Sequence, residues 1–134
     1  MVMKTVSLRT EEGEMVCERC LVADSPWPRM RGLLGRRGLE SGEGLLIKPT
    51  GSVHTFFMRF PIDVVFLSRE GEVLKVARAL PAWRMTGARR AKAVLELAAD
   101  EADRRGIRVG TRLDLSVLAG PGSGPAANHP PASA

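Results

Sequence analysis

The residue types best suited to chemistry fall in one run, Ser52 to Leu67, which mixes aromatic and branched apolar residues with a few polar ones. Side chains alternate between the two faces of a strand, so His54 shares its face with apolar residues and is predicted to point inward. After Pro61 the alternation resumes and places Asp63 in an otherwise apolar row. A carboxylate in such a row has to be paired or hydrogen-bonded, and the candidate partners are Arg59, His54 or backbone amides at the bend.

Two interpretations of His54, Arg59 and Asp63 are open. Polar groups above an apolar floor are typical of small-ligand pockets, and Arg31 is a further cation that could serve an anionic ligand. Alternatively, an ion pair and a satisfied core histidine hold the strand register, and we favour this structural interpretation. A catalytic role would make Asp63 a base assisted by His54 or Glu96, but the chain shows neither a nucleophile in a known triad nor an obvious acid and base pair.

Cys17 and Cys20 form a C-x-x-C pair inside a predicted strand. Residues three apart in a regular strand face opposite sides and lie about 10 Å apart, too far for a disulfide without a bend. A zinc site needs four ligands, and the two histidines, His54 and His129, do not complete one in a monomer. We therefore predict two unrelated buried residues rather than a metal half-site or a redox pair, and no metal or cofactor.

The charge balance favours anionic partners. A net charge of +5 arises almost wholly from arginine, whose guanidinium suits phosphate esters, nucleic acid and acidic proteins. Aromatic residues make up only 4% of the chain, so a stacking platform for single-stranded nucleic acid is poorly supplied. Three arginine clusters would form an anion-binding patch if two of them met, although scattered solvated charge is more usual: Arg29, Arg31, Arg36 and Arg37; Arg84, Arg89 and Arg90; Arg104, Arg105, Arg108 and Arg112.

Length and composition predict one globular domain, since 134 residues with 44% hydrophobic and 26% charged residues can bury a single core. No apolar stretch approaches the ~20 residues that cross a bilayer, and the first residues lack the apolar core of a secretory signal. We expect a cytoplasmic protein with no membrane association, either a monomer or a weak oligomer. The domain is predicted over residues 1–118, with a disordered tail rich in glycine, proline and alanine over 119–134.

Hydrophobic periodicity predicts a mainly β (α+β) fold. The strands 53–60, 62–67 and 72–80 are predicted to be central, and residues 81–90 are predicted to be a loop. Helices are predicted from Asp24 to about Gly35 and over 100–105, where Asp100 with Arg104 and Glu101 with Arg105 stand four residues apart. The remaining predicted strands are 4–9, 15–23, 44–47, 92–98 and 112–118. Two hairpins are predicted: residues 10–14 turn between strands 4–9 and 15–23, and Ser68–Gly71 form a tight turn between strands 62–67 and 72–80.

Five segments, in matching order and spacing along most of the chain, resemble the DUF192 family of uncharacterised bacterial and archaeal proteins. They are RGLLGR (31–36), GEGLLI (42–47), HTFFMRFPIDVVFL (54–67), AVLEL (93–97) and GIRVGTRL (106–113). The resemblance implies a compact, mostly β domain with a barrel-like sheet and one or two short helices, and it implies no activity. Its characteristic positions are Arg31, Gly32, Gly35, Gly44, His54, Met58, Asp63, Phe66 and Glu96.

Two departures from that family pattern bear on function. Thr111 stands where the family commonly has an aspartate before the last strand, which puts any role of that acid in doubt here. Cys17 and Cys20 lie outside the pattern, which is a further argument against a metal-binding role for them.

Three functions of different classes follow from these residues. The leading hypothesis is a small binding module for an anionic small ligand or an acidic partner, using Arg31, His54, Arg59 and Asp63. An enzyme of hydrolase or isomerase type with Asp63 and His54 is the alternative, and we lean against it. Weak nucleic-acid binding through the arginine patches ranks lower, because the sequence offers no base-reading element; it would be steeply salt-dependent.

Overall fold

The computed structural model describes residues 4–23, 38–55 and 59–119, and within them strands dominate. The strands are β1 (Lys4–Thr10), β2 (Met15–Ala23), β3 (Glu43–Ile47), β4 (Ser52–His54), β5 (Ile62–Leu67), β6 (Val73–Leu80), β7 (Met85–Gly87), β8 (Ala93–Ala98) and β9 (Leu113–Asp114). A single-turn helix, α1 (Glu101–Arg104), follows β8, and a 3₁₀ helix (Ser116–Ala119) follows β9. No helix in these residues is long and apolar enough to span a bilayer.

Seven of the strands form one sheet in the order β6-β5-β8-β3-β2-β1-β9, and β4 pairs with β7 in a small separate sheet. The two edge strands of the large sheet, β6 and β9, are also linked to each other by residues at and just before their starts. Glu72 and Arg112 form a bridge, the Val73 amide donates to the Thr111 carbonyl at 2.8 Å, and the Leu113 amide donates to the Gly71 carbonyl at 2.9 Å. These bonds draw β6 towards β9, so the sheet curls into a half-barrel.

The close approach between the two ends of the sheet requires glycine at position 71. Gly71 ends the β5–β6 turn with φ at 95°, a left-handed conformation that glycine adopts without steric cost. A Cβ at this position would lie 2.5 Å from the Leu113 carbonyl oxygen. Any larger residue would therefore push the two sheet ends apart.

The large sheet is covered on both faces, which gives the protein an inner and an outer apolar layer. All six residues of β5 are buried, as expected for a strand with apolar material on both sides. The inner layer contains Leu8, Val16, Cys17, Cys20, Leu46, Val65, Leu67, Val73, Leu95, Leu97, Ala102, Ile107 and Leu113. The outer layer contains Ala23, Leu45, Ile47, Val53, Ile62, Val64, Phe66, Ala91 and Val94.

The predicted mainly β fold with a barrel-like sheet is confirmed, as are the β1–β2 and β5–β6 hairpins. The predicted strand 53–60 ends at residue 54, because residues 55, 59 and 60 are not in a strand, and its residues 56–58 lie outside the described residues. The predicted loop 81–90 contains β7. The buried Thr55 explains this, because its hydroxyl donates to the Pro81 carbonyl at 2.7 Å and accepts from the Arg84 amide at 2.9 Å. These side-chain bonds to the backbone hold β7 beside β4 and compete with continuation of the strand.

Three other predictions are corrected. The strand β6 lies at the edge of the large sheet, not at its centre, which is occupied by β8 and β3. The predicted strand 112–118 is a two-residue strand followed by the 3₁₀ helix. In α1, Glu101 pairs with Arg105 as predicted, but Arg104 also bonds Glu101 rather than Asp100. The predicted helix after Asp24 and the tail beyond Ala119 lie outside the described residues.

The prediction that Cys17 and Cys20 face opposite sides of β2 is wrong. Val6 pairs with Cys20 and Leu8 pairs with Cys17, so three steps along β2 oppose two steps along β1. This is a β-bulge, and its two central residues, Glu18 and Arg19, both face solvent. Because the bulge adds one residue to β2, the residues on either side of it, Cys17 and Cys20, both point to the inner face of the sheet.

Candidate functional site

Asp63 lies at the beginning of β5 in the inner layer and is fully buried. Its Oδ1 accepts from the Ala79 amide at 2.8 Å, and its Oδ2 accepts from the Ala102 amide at 2.9 Å. Ala79 has φ at 48°, an unfavourable conformation for alanine that the carboxylate bond helps to hold. Asp63 thus fastens the end of β6 and helix α1 to β5 through backbone amides, and neither amide is at the Phe60–Pro61 bend.

His54 is exposed, so the prediction that it points inward is wrong. It occupies the end of β4 opposite Met85 of β7, and in this strand Val53 is the residue that points into the outer layer. Arg59 is exposed as well, and Arg31 lies outside the described residues. The described side chains predicted to form a ligand site, His54, Arg59 and Asp63, are therefore divided between solvent and the core.

Glu96 is buried in β8 on the opposite face of the sheet from Asp63. Asp63 pairs with Leu97 of the inner layer, whereas Glu96 pairs with Val64 and Leu45 of the outer layer. Burial raises the pKa of the Glu96 carboxyl to about 8. No described residue gives this carboxyl a hydrogen bond or an ion pair. Because the sheet separates it from Asp63, the two carboxyls do not share a site.

The third arginine cluster is largely neutralised by carboxylates. Arg105 bonds both Glu101 and Glu18, with N–O distances of 2.8 and 3.0 Å. Arg104 bonds Glu101 at 2.5 Å, and Arg112 approaches Glu72 at 3.8 Å. These arginines therefore present little uncompensated positive charge to an anionic partner.

A cavity of about 550 Å³ opens at one end of the half-barrel, a region that the sequence interpretation did not single out. Here β3 and β5 end and β8 begins, and because β8 runs antiparallel to both, these three ends meet at one edge of the sheet. Ser68, directly after β5, is five residues beyond Asp63, or about 17 Å along the strand. The described lining residues are Lys48, Pro49, Ser68, Arg69, Lys92, Ala93, Leu115, Leu118 and Ala119.

The described lining of this cavity combines positive charge with an apolar surface. Lys48, Arg69 and Lys92 supply three cations, and no carboxylate is among the lining residues that the structure describes. None of these three side chains forms an ion pair within the described residues. The apolar part comes from Leu115 and Leu118, which pack against the inner layer.

Ser68 adds a hydroxyl to the wall between the cations. Its Oγ accepts from the Glu72 amide at 3.1 Å, which fixes the oxygen beside the β5–β6 turn. The hydroxyl hydrogen has no acceptor among the described residues and can donate to a bound group. This arrangement can hold an anionic head with the apolar part of the same molecule against the two leucines.

The signal for this cavity was present in the sequence. Lys48 directly follows a predicted strand, Arg69 lies in a predicted turn, and Lys92 is the first residue of another predicted strand. Their meeting depends on the order of the strands in the sheet, and periodicity does not supply that order.

Comparisons with known proteins place the chain in context. Residues 7–115 match the model of DUF192, a family described as uncharacterised. A UPF0127 protein of Thermococcus sibiricus is 29% identical over 111 residues, which cover 79% of this chain and 71% of that protein.

Two crystal structures share the fold. A protein of Sinorhizobium meliloti, provisionally named a transcription regulator, superimposes with a TM-score of 0.72 at 23% identity over 84% of this chain and 93% of its own. A protein of unknown function from Novosphingobium aromaticivorans gives a TM-score of 0.70 at 22% identity over 84% of both chains. At these identities the likeness concerns the fold alone.

Proposed function

The chain belongs to the DUF192 family, and we propose that this member binds a small anion with an apolar body, such as an alkyl phosphate or a carboxylate, in the cavity at the end of the half-barrel. The observation that carries the proposal is the meeting of Lys48, Arg69 and Lys92 around an apolar surface. The anionic ligand class is the one expected from the sequence, whereas the residues now proposed to bind it are different.

Lys48, Arg69 and Lys92 have no ion-pair partner among the described residues, which supports a binding role. Charge that serves only the fold is usually compensated, as Arg105 is by Glu18 and Glu101. Three like charges around one cavity repel each other, and a bound anion would relieve that repulsion. Hydrogen bonds to a charged group contribute about 1.5–3 kcal/mol each.

The apolar surface supports a ligand with a hydrocarbon part. Leu115 and Leu118 are only partly buried in this structure, so an alkyl chain laid against them would be removed from water together with the leucines. The gain is about 0.8 kcal/mol per buried methylene. Affinity should therefore rise with chain length until the cavity is filled.

Hexyl phosphate is the ligand that tests the proposal. Inorganic phosphate, which has the anionic group without the alkyl chain, and hexanol, which has the alkyl chain without the charge, are the controls. We expect hexyl phosphate to raise the melting temperature of the full chain in a concentration-dependent manner and to exceed both controls. Lys48→Gln, Arg69→Gln and Lys92→Gln should each weaken binding about tenfold or more in calorimetry, since each removes a charged contact.

Arg78→Gln is the matched control. It also removes one positive charge, but Arg78 pairs with Asp103 of α1 and is not among the cavity residues. The affinity of the Arg78→Gln variant for hexyl phosphate should equal that of the wild type. Equal weakening by Arg78→Gln, or equal binding of hexanol and hexyl phosphate, would contradict the proposal.

A further inference from the structure

Cys17 and Cys20 are brought together by the bulge in β2. Both residues are fully buried and belong to the inner layer. Their β1 partners, Leu8 and Val6, are two residues apart, a separation of about 6.7 Å along a strand. Disulfides join Cα atoms that are about 4.4–6.8 Å apart, so the bulge brings this pair to the upper end of that range.

The surroundings of Cys17 leave room for its sulfur. Its Sγ contacts the Gly42 carbonyl at 3.4 Å as a hydrogen-bond donor. A Cβ on Gly44 of β3 would come within 2.8 Å of the same sulfur, so the missing side chain of Gly44 provides the space. Gly42, just before β3, and Gly44, within β3, thus define the position of the sulfur.

The two thiols are also chemically unequal. A hydrogen bond from the Cys20 thiol lowers the pKa of Cys17 against the opposing effect of burial, with smaller lowering from a hydrogen bond to the Arg19 backbone and from the positive charge of Arg105. The same hydrogen bond, followed by burial, raises the pKa of Cys20. Pairs with this inequality work by attack from the more acidic thiol and resolution by the other.

We propose that Cys17 and Cys20 form a redox-active dithiol, which a peroxide closes into an intramolecular disulfide and a thiol reductant reopens. The Cys17 thiolate attacks one peroxide oxygen, the O–O bond breaks, and Cys17 becomes a sulfenic acid as the leaving hydroxide takes up a proton to form water. The Cys20 sulfur then attacks the Cys17 sulfur, the S–O bond breaks, and a second water leaves with the Cys20 proton. Two thiols are oxidised and one peroxide is reduced to two waters.

The reverse reaction is thiol–disulfide exchange. The thiolate of a dithiol reductant attacks one sulfur of the disulfide, and its second thiol releases the mixed disulfide, so that both cysteines return to thiols and the reductant is oxidised. Reagents reach the pair through local opening near the bulge, where Glu18 and Arg19 are exposed. Because both sulfurs are buried, we expect the oxidation to be slower than that of an exposed low-pKa thiol.

The experiment treats the folded full chain with hydrogen peroxide at neutral pH and measures its intact mass and its thiols. We expect the loss of two hydrogen atoms in mass, the loss of both thiols that react with a maleimide in denaturant, and the return of both after dithiothreitol. Peptide mapping of the wild type should place the bond between Cys17 and Cys20. In Cys20→Ser the sulfenic acid at Cys17 should persist and react with dimedone, whereas Cys17→Ser should label far less.

Several results would overturn the proposal. The folded wild type could keep both thiols in excess peroxide and lose them only after denaturation. The oxidised protein could instead be a disulfide-linked dimer, or both thiols could pass to sulfinic acids with no intramolecular bond. These readouts use the wild-type chain, so the proposal remains testable even if a serine variant fails to fold.

Discussion

The two ends of the half-barrel use polar side chains in opposite ways. At the end near α1, Asp63 is fully buried and both of its oxygens accept backbone amides. At the other end, Lys48, Arg69 and Lys92 surround an open cavity and form no ion pair with any described residue. The comparison teaches that a charge committed to the fold is buried and satisfied, whereas a charge available to a ligand stays accessible and uncompensated.

The strongest test of this comparison uses Glu96, the buried carboxyl that has no described partner. Its pKa in the folded protein is about 8, against 4.5 when it is unperturbed. Between these values the unfolded chain has released the proton while the folded chain still holds it, so the contribution of Glu96 to stability is fully present below pH 4.5 and is lost as the pH rises to 8. The difference corresponds to roughly 5 kcal/mol.

Glu96→Gln should remove this loss, because glutamine of similar shape stays neutral at every pH. Urea unfolding at several pH values should show wild-type stability falling relative to the variant across this window and a constant difference above it. A difference that does not change with pH would show that Glu96 ionises normally in the folded protein.

The next largest effect is expected at Asp63. Asp63→Ala should lower the free energy of unfolding by roughly 3–5 kcal/mol, since it leaves the Ala79 and Ala102 amides buried without an acceptor. Asp103→Asn is the matched control, because the one side-chain contact of Asp103 among the described residues is an exposed pair with Arg78, and its loss should change stability by less than about 1 kcal/mol. Equal stabilities of the two variants in urea unfolding would break the comparison between the ends.

The smallest effect on stability is expected from the cavity cations. The combined variant Lys48→Gln, Arg69→Gln and Lys92→Gln should unfold within about 0.5 kcal/mol of the wild type, because surface changes away from buried networks rarely do more. Because the substitutions also remove the repulsion between the three cations, any small difference should make the variant more stable than the wild type. A clear loss of stability in thermal unfolding without ligand would show that these cations serve the fold.

Much of the architecture could be predicted because it depends on local pattern. The alternation in β1 and β2 and the run of branched and aromatic residues in β5 marked them as strands, and the Ser68–Gly71 turn was recognisable from its residue types. Asp63 was correctly identified as a buried acid that needs a partner. Its actual partners could not be predicted, since the Ala79 and Ala102 amides are 16 and 39 residues away in the chain.

The remaining errors share a physical cause. Thr55 ends β4 through bonds to residues 26 and 29 positions away, and those bonds overrode a run that favours a strand. His54 then faced solvent because β4 joined the small sheet instead of the large one. The C-x-x-C pair was misjudged because a bulge depends on the partner strand, and one extra residue reverses the face of everything beyond it.

The sequence by itself determined that the chain is mainly β, that it belongs with DUF192, and that Asp63 must be satisfied in a core. These follow from short-range periodicity, from recognisable segments and from the free energy needed to bury a charge. Tertiary structure alone decided which charges meet. Lys48, Arg69 and Lys92 converge only because strand order places three distant strand ends at one edge, and contacts between residues far apart in the chain decide that order.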